Sequence, residues 1–64
     1  MVKYIGKAVR EYKGLSVRGL AKAADISSGT ISKWENGKAI PDLEVLDLVA
    51  KVMNVNPLEL VEFT

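Results

Sequence analysis

Leu15 to Lys38 constrains the rest of the chain more than any other stretch, because it spells two short amphipathic helices with almost no linker between them. Ser16 stands before the apolar-periodic set Val17, Leu20, Ala21 and Ala24, and Ser27 stands before Ile31 and Trp34. A serine in that place offers its hydroxyl oxygen to a first-turn amide that has no partner within the helix. Asn36-Gly37 closes the second helix, since glycine accepts the left-handed conformation that commonly ends helices. Two capped helices joined this tightly must cross at an angle, with Asp25-Ile26 as the turn and Ile26 pointing inward.

The flanking segments read as further helices. Val2, Ile5, Ala8, Val9 and Tyr12 fall at helical spacing and predict a first helix from Val2 to about Tyr12, ended by Lys13-Gly14. The helices at the centre then cover about 17–24 and 28–36. After the loop Gly37 to Pro41, Asp42 caps a fourth helix that carries Leu43, Leu46, Val49, Ala50 and Met53 on one face and stops at Asn54-Val55. Asn56-Pro57 opens a fifth, through Leu58, Leu60, Val61 and Phe63, with Asn as cap and Pro at the first helical position. The expectation is an all-α fold of five helices without strands, forming a single domain over residues 1–64.

Sixty-four residues support one small core, so economical helix packing or a second subunit is expected. The chain has neither cysteine nor histidine, which removes disulfides, thiolate zinc sites and imidazole acid–base chemistry. No metal, cofactor or small-molecule ligand is therefore expected, and an enzyme is not expected either. The longest apolar run is Leu48 to Ala50, far short of a membrane span, and Met1 to Ile5 lacks the apolar stretch of a signal peptide. A soluble cytoplasmic protein follows as the expectation.

The net charge of +1 conceals a lopsided distribution. Residues 1–41 carry eight basic and three acidic side chains, net +5, whereas residues 42–64 carry one basic and five acidic, net −4. The basic half coincides with the paired central helices, which is where attraction to a polyanion such as nucleic acid would have to act.

At about 100° per residue, Gly29, Ser32, Lys33 and Asn36 share one flank of the third helix, opposite Ile31 and Trp34. That places a polar face outward and makes Trp34 a core residue rather than a stacking platform. Ser28 lies at the amino end of the same helix.

Ile5-Gly6, Arg10, Gly14-Leu15-Ser16, Leu20-Ala21, Ile26-Ser27, the run Ile31 to Gly37, Pro41, Leu46 and the stretch Val55 to Leu60 together resemble one known pattern. It is that of the Cro and repressor type of helix-turn-helix domain, the xenobiotic-response-element family. The resemblance implies a compact five-helix domain of the lambda-repressor-like type whose third helix enters the major groove of double-stranded DNA. It implies a sequence-specific transcriptional regulator, most simply a repressor, acting as a homodimer at least on DNA. Ser28, Gly29, Ser32 and Lys33 are then the base-reading set, with Lys33 able to donate to guanine O6 and N7. Val17, Arg18, Ser27, Asn36 and Lys38 are the backbone contacts, with Lys7 and Lys22 as weaker candidates. The resemblance also pairs Arg10 with Glu35 as a scaffold ion pair between the first and third helices.

Two positions depart from the family pattern. Val17 stands where the family often has a phosphate-gripping glutamine, so only its backbone amide can serve, and Asp25 stands where the turn is commonly glycine. Aspartate tolerates the left-handed region better than most residues, so the turn is expected to survive. Val55, Leu58, Val61 and Phe63 give the carboxyl-terminal end surplus apolar surface, and they are the expected dimer contacts. The competing reading is a protein-interaction module, such as an antitoxin or regulatory subunit on the same fold, using the acidic half and the apolar tail.

Overall fold

The computed structural model describes residues 1–64 as four α-helices, one 3-10 turn and a two-stranded sheet. Helix α1 runs Gly6–Tyr12, α2 Val17–Ala24, α3 Ser28–Glu35 and α4 Leu43–Met53. The turn Pro57–Leu60 follows, and strands β1 (Val2–Tyr4) and β2 (Val61–Phe63) join the two ends of the chain. No helix is long and apolar enough to cross a membrane.

Every α-helix ends the same way. Gly14, Asp25, Gly37 and Asn54 take positive φ, and the next residue's amide reaches back to a carbonyl five positions earlier. Those bonds run from Leu15 to Arg10, Ile26 to Ala21, Lys38 to Lys33 and Val55 to Ala50, at 2.8–3.1 Å. Asp25 sits at φ 57°, ψ 46°, so aspartate does make the turn that is commonly glycine. Serine and aspartate caps open α2, α3 and α4 as the sequence predicts, through Ser16, Ser27 and Asp42.

The two ends of the chain correct the expectation of five helices and no strands. Val2, Lys3 and Tyr4 form β1, antiparallel to β2, with Val2 opposite Phe63, Lys3 opposite Glu62 and Tyr4 opposite Val61. Val2 and Ile5 are three apart by coincidence, and α1 begins only at Gly6. The last segment starts as predicted, with the Asn56 side chain accepting from the Leu58 amide and Pro57 in the first turn. It makes a single 3-10 turn, closed by Glu59 reaching back to the Asn56 amide, before the chain extends. Pairing across some sixty residues leaves no local periodicity to read, which is why the sheet escapes the sequence.

Leu20, Ile31, Val49, Met53 and Leu60 are wholly buried, one or two from each packed element, and each stabilises the fold by about 2 kcal/mol. Tyr4 enters this core from the sheet and meets Trp34 with ring centroids 5.6 Å apart at 55°. Gly6 lies beneath the Tyr4 phenol, where a Cβ would collide with the ring. The Tyr4 hydroxyl is buried without a hydrogen-bond partner. Burial, reinforced by the nearby Glu35 charge and opposed by Arg10, pushes its pKa up to about 12.

A raised tyrosine pKa means that the folded state holds its proton longer than the unfolded state. Its share of stability is intact below pH 10 and is lost as pH rises toward about 12. Tyr4→Phe removes both the unpartnered hydroxyl and this loss. Denaturant titrations should show the variant at least as stable as wild type at pH 7, with a shallower decline above pH 10; a steeper decline would contradict the burial of the neutral phenol.

Candidate nucleic-acid interface

The interface is built on how α2 and α3 begin. The Ser16 hydroxyl accepts from the Gly19 amide at 2.9 Å, and the Ser27 hydroxyl accepts from the Thr30 amide at 3.1 Å. Ser27 also exchanges a hydrogen bond with the Thr30 hydroxyl at 3.2 Å. Its side chain is thus spent within the helix start, while Ser28 and Gly29 keep first-turn amides that no intrahelical carbonyl can take. Arg18, Gly19, Lys22 and Ser28 line a shallow groove between the two helix starts. Two cations thus stand beside first-turn amides, groups whose partial charge is positive.

The third helix divides as the periodicity predicts. Ile31 and Trp34 are 0 and 4 % exposed, whereas Ser28, Gly29, Lys33 and Asn36 lie open to solvent. Ser32 is half-buried, the least accessible of the expected reading residues. A Cβ on Gly29 would meet only the Ser27 hydroxyl, at an ordinary 3.6 Å, so nothing within the subunit requires glycine there. At the far end of α3, Gly37 at φ 75° turns the chain so that Lys38 follows on the exposed side. With α3 about 12 Å long, Arg18 and Lys22 stand at one end of its open flank and Lys38 at the other.

Arg10 and Glu35 meet as the resemblance implies. Arg10 donates from Nε to Glu35 Oε2 at 2.7 Å and from Nη2 to Oε1 at 3.2 Å, a two-pronged contact. The remaining Nη1 donates to the Leu15 carbonyl at 2.7 Å. Both side chains are under 10 % exposed, and hydrogen bonding to Glu35 holds the guanidinium pKa above its ordinary value.

Other sites differ from expectation. Val17 is half-buried against the core, so its contribution at the surface is its amide alone. The four expected dimer contacts do not all share a face, because Val55 lies apart from the other three. Val61 is a core residue at 9 % exposure, because the strand turns it inward, and it lines the floor of a groove with Leu58 and Phe63. Val55 lines a separate groove with Val9 and Tyr12. Leu58 and Phe63 alone remain together in the open.

Sequence reasoning placed Lys22 among weak candidates and overlooked Gly19. Lys22 lies one helical turn after Arg18, a spacing that could have flagged both as neighbours. Gly19 borders the groove where a Cβ would crowd the Ser16 hydroxyl at 3.1 Å.

Two capped helices at a fixed angle, the second with a bare polar flank between cations, define a helix-turn-helix domain. The chain belongs to the helix-turn-helix family of the xenobiotic-response-element type, whose model matches residues 7–60. It is similar over 97 % of its length to the full crystal structure of a candidate DNA-binding protein from Bacteroides fragilis, at 35 % identity and a TM-score of 0.91. It is also similar to the clp gene regulator ClgR from C. glutamicum, at 28 % identity and a TM-score of 0.77, over 83 % of this chain and 69 % of that one. A search of curated proteins returned no match.

Because the Arg10–Glu35 pair is buried, removing one partner strands the other's charge. Glu35→Gln or Arg10→Met alone should each cost about 3 kcal/mol, and joint replacement by Met and Leu should cost less than either. Thermal melts of the three variants measure this; additive losses would show that the pair is not coupled.

Proposed function

We propose that the protein is a sequence-specific DNA-binding transcriptional regulator that lays α3 into the major groove, working in the cytoplasm as a repressor that occludes its promoter. The observation that carries this reading is the exposed flank Ser28, Gly29, Lys33 and Asn36, bracketed by Arg18 and Lys22 at one end and Lys38 at the other. A helix presented in this way fits the major groove, and the flanking cations and free helix-start amides meet phosphates on either side. The family membership and the two similar structures, one a candidate DNA-binding protein and the other a gene regulator, support it.

Within that complex, Lys33 donates to guanine acceptors, the Ser28 and Ser32 hydroxyls donate or accept at base edges, and Gly29 lets the backbone come close. Arg18, Asn36, Lys38 and the amides of Val17 and Ser28 set register on the phosphates. The reading set lacks arginine and glutamine, so part of the selectivity falls to DNA shape. The protein binds as a homodimer, with two α3 helices about 34 Å apart on a near-palindromic site.

Selection from randomised duplexes followed by sequencing identifies the site and tests the reading. On the selected duplex, Lys33→Ala should weaken binding by about 1–3 kcal/mol more than on unrelated DNA. Arg18→Ala should weaken both alike and reduce the log–log salt slope by about one unit. Gly29→Ala should leave the free fold unchanged or firmer by up to about 1 kcal/mol, so any loss of affinity reports close approach to DNA. Absence of any salt-dependent duplex binding would defeat the proposal in favour of a protein-interaction module.

A further inference from the structure

The open flank of α3 runs between two grooves. Arg18 and Lys22 line the one at its amino end. The other lies past its carboxyl end, between the outer edge of β1 and the loop Gly37 to Ile40, and Lys3 and Lys38 line it. Each groove thus holds two basic side chains, and no carboxylate side chain lines either.

Lys3 is brought there by long-range pairing. Tyr4 packs on Trp34 in the last turn of α3, ring centroids 5.6 Å apart, which sets β1 beside the end of that helix. Alternation along the strand then turns Lys3 away from the buried Tyr4, to the exposed face of the sheet. Its cross-strand neighbour is Glu62, but the two form no ion pair and Glu62 lies outside the groove. The Met1 amine is already engaged, since it donates to the Thr64 carbonyl oxygen at 2.8 Å. Lys3 and Lys38 are therefore the unpaired cations of this groove. The backbone adds to them. Met1 and Thr64 exchange both bonds of one ladder pair, so Lys3 and Glu62, two residues on, form the next. Val2 and Tyr4 accordingly direct their amides to the outer edge of β1, which no third strand covers and which borders the groove.

We infer that this second groove seats a DNA phosphate, with Lys3 as a positioning residue contributed by the amino-terminal strand. The inference rests on the DNA-binding reading given above and deepens it. Helix α3 is about 12 Å long, and the major groove is about 12 Å wide. The two cationic grooves therefore stand a groove's width apart, where the two phosphate backbones run. Arg18 and Lys22 face one of these walls, and Lys3 and Lys38 face the other. A phosphate contact fixes register and carries no base preference, so Lys3 adds affinity without altering which sequence is preferred. It also makes DNA binding depend on the terminal sheet, because Lys3 has its place only while β1 is paired with β2.

Fluorescence anisotropy on the selected duplex and on an unrelated one, from about 50 mM to about 300 mM salt, tests the contact. Lys3→Gln should weaken binding to both alike, roughly five- to tenfold at about 0.1 M salt, and lower the log–log salt slope by about one unit. Lys3→Arg, which keeps the charge, should retain the wild-type slope. Lys51→Ala removes the same charge from α4, away from both grooves, and should match wild type. Circular dichroism melts establish that the variants fold. Ethylation interference then locates the phosphate. One whose ethylation hinders the wild-type chain should cease to matter for Lys3→Gln, and it should differ from those that cease to matter for Arg18→Ala. An unchanged slope for Lys3→Gln, or a loss that Lys51→Ala reproduces, overturns the inference while leaving DNA binding by α3 standing. A wild-type chain that binds no duplex overturns both, so the two failures can be told apart.

Discussion

One guanidinium holds the domain's working parts in register. Arg10 takes both oxygens of Glu35 at the end of α3 and, with its third nitrogen, the carbonyl of Leu15 between α1 and α2. The end of α3, which shares no backbone hydrogen bond with α1 or Leu15, is thus tied to both through one planar group. The planarity matters, because a fixed fork of donors dictates where its acceptors lie, which an ammonium could not do. The pair is also nearly closed to solvent, so water cannot substitute for either partner. Trp34, one residue before Glu35, closes the same corner against Tyr4, and the aromatic contact brings the sheet into the arrangement.

Fixing the end of α3 matters because its outer flank makes few contacts of its own. Ser28, Gly29 and Lys33 gain nothing from the core, so the helix is held by the burial of Ile31 and Trp34 on the other side and by its two ends. The serine caps do the same work at the amino end, ordering the first turn while leaving amides open beside Arg18 and Lys22. The flank that results is polar, rigid and open to solvent. Five of the eight acidic residues lie beyond Pro41, outside the paired helices.

Local chemistry was readable wherever it acts within a few residues. The caps at Ser16, Ser27 and Asp42, the reversals at Gly14, Asp25, Gly37 and Asn54, and the split faces of α2 and α3 all depend on neighbours four or five positions away. The exposed polar flank of α3 was legible for the same reason, as was the inward place of Trp34. The groove at the two helix starts was half legible. Arg18 was evident beside a cap, but Lys22 and Gly19 acquire their place only from the angle at which α2 meets α3.

What the sequence determined by itself is the order, limits and polarity of the central helices, because helix signals repeat within a single turn of backbone. The tertiary structure alone decided the fate of the two ends. Val2 to Tyr4 and Val61 to Phe63 are too short to declare a period, and each becomes a strand only when the other is beside it. That pairing turned Val61 inward, left Phe63 and Leu58 outside, and placed Tyr4 against Trp34. A strand's partner is set by which backbone edges the folded helices bring together, and no reading along the chain contains that distance.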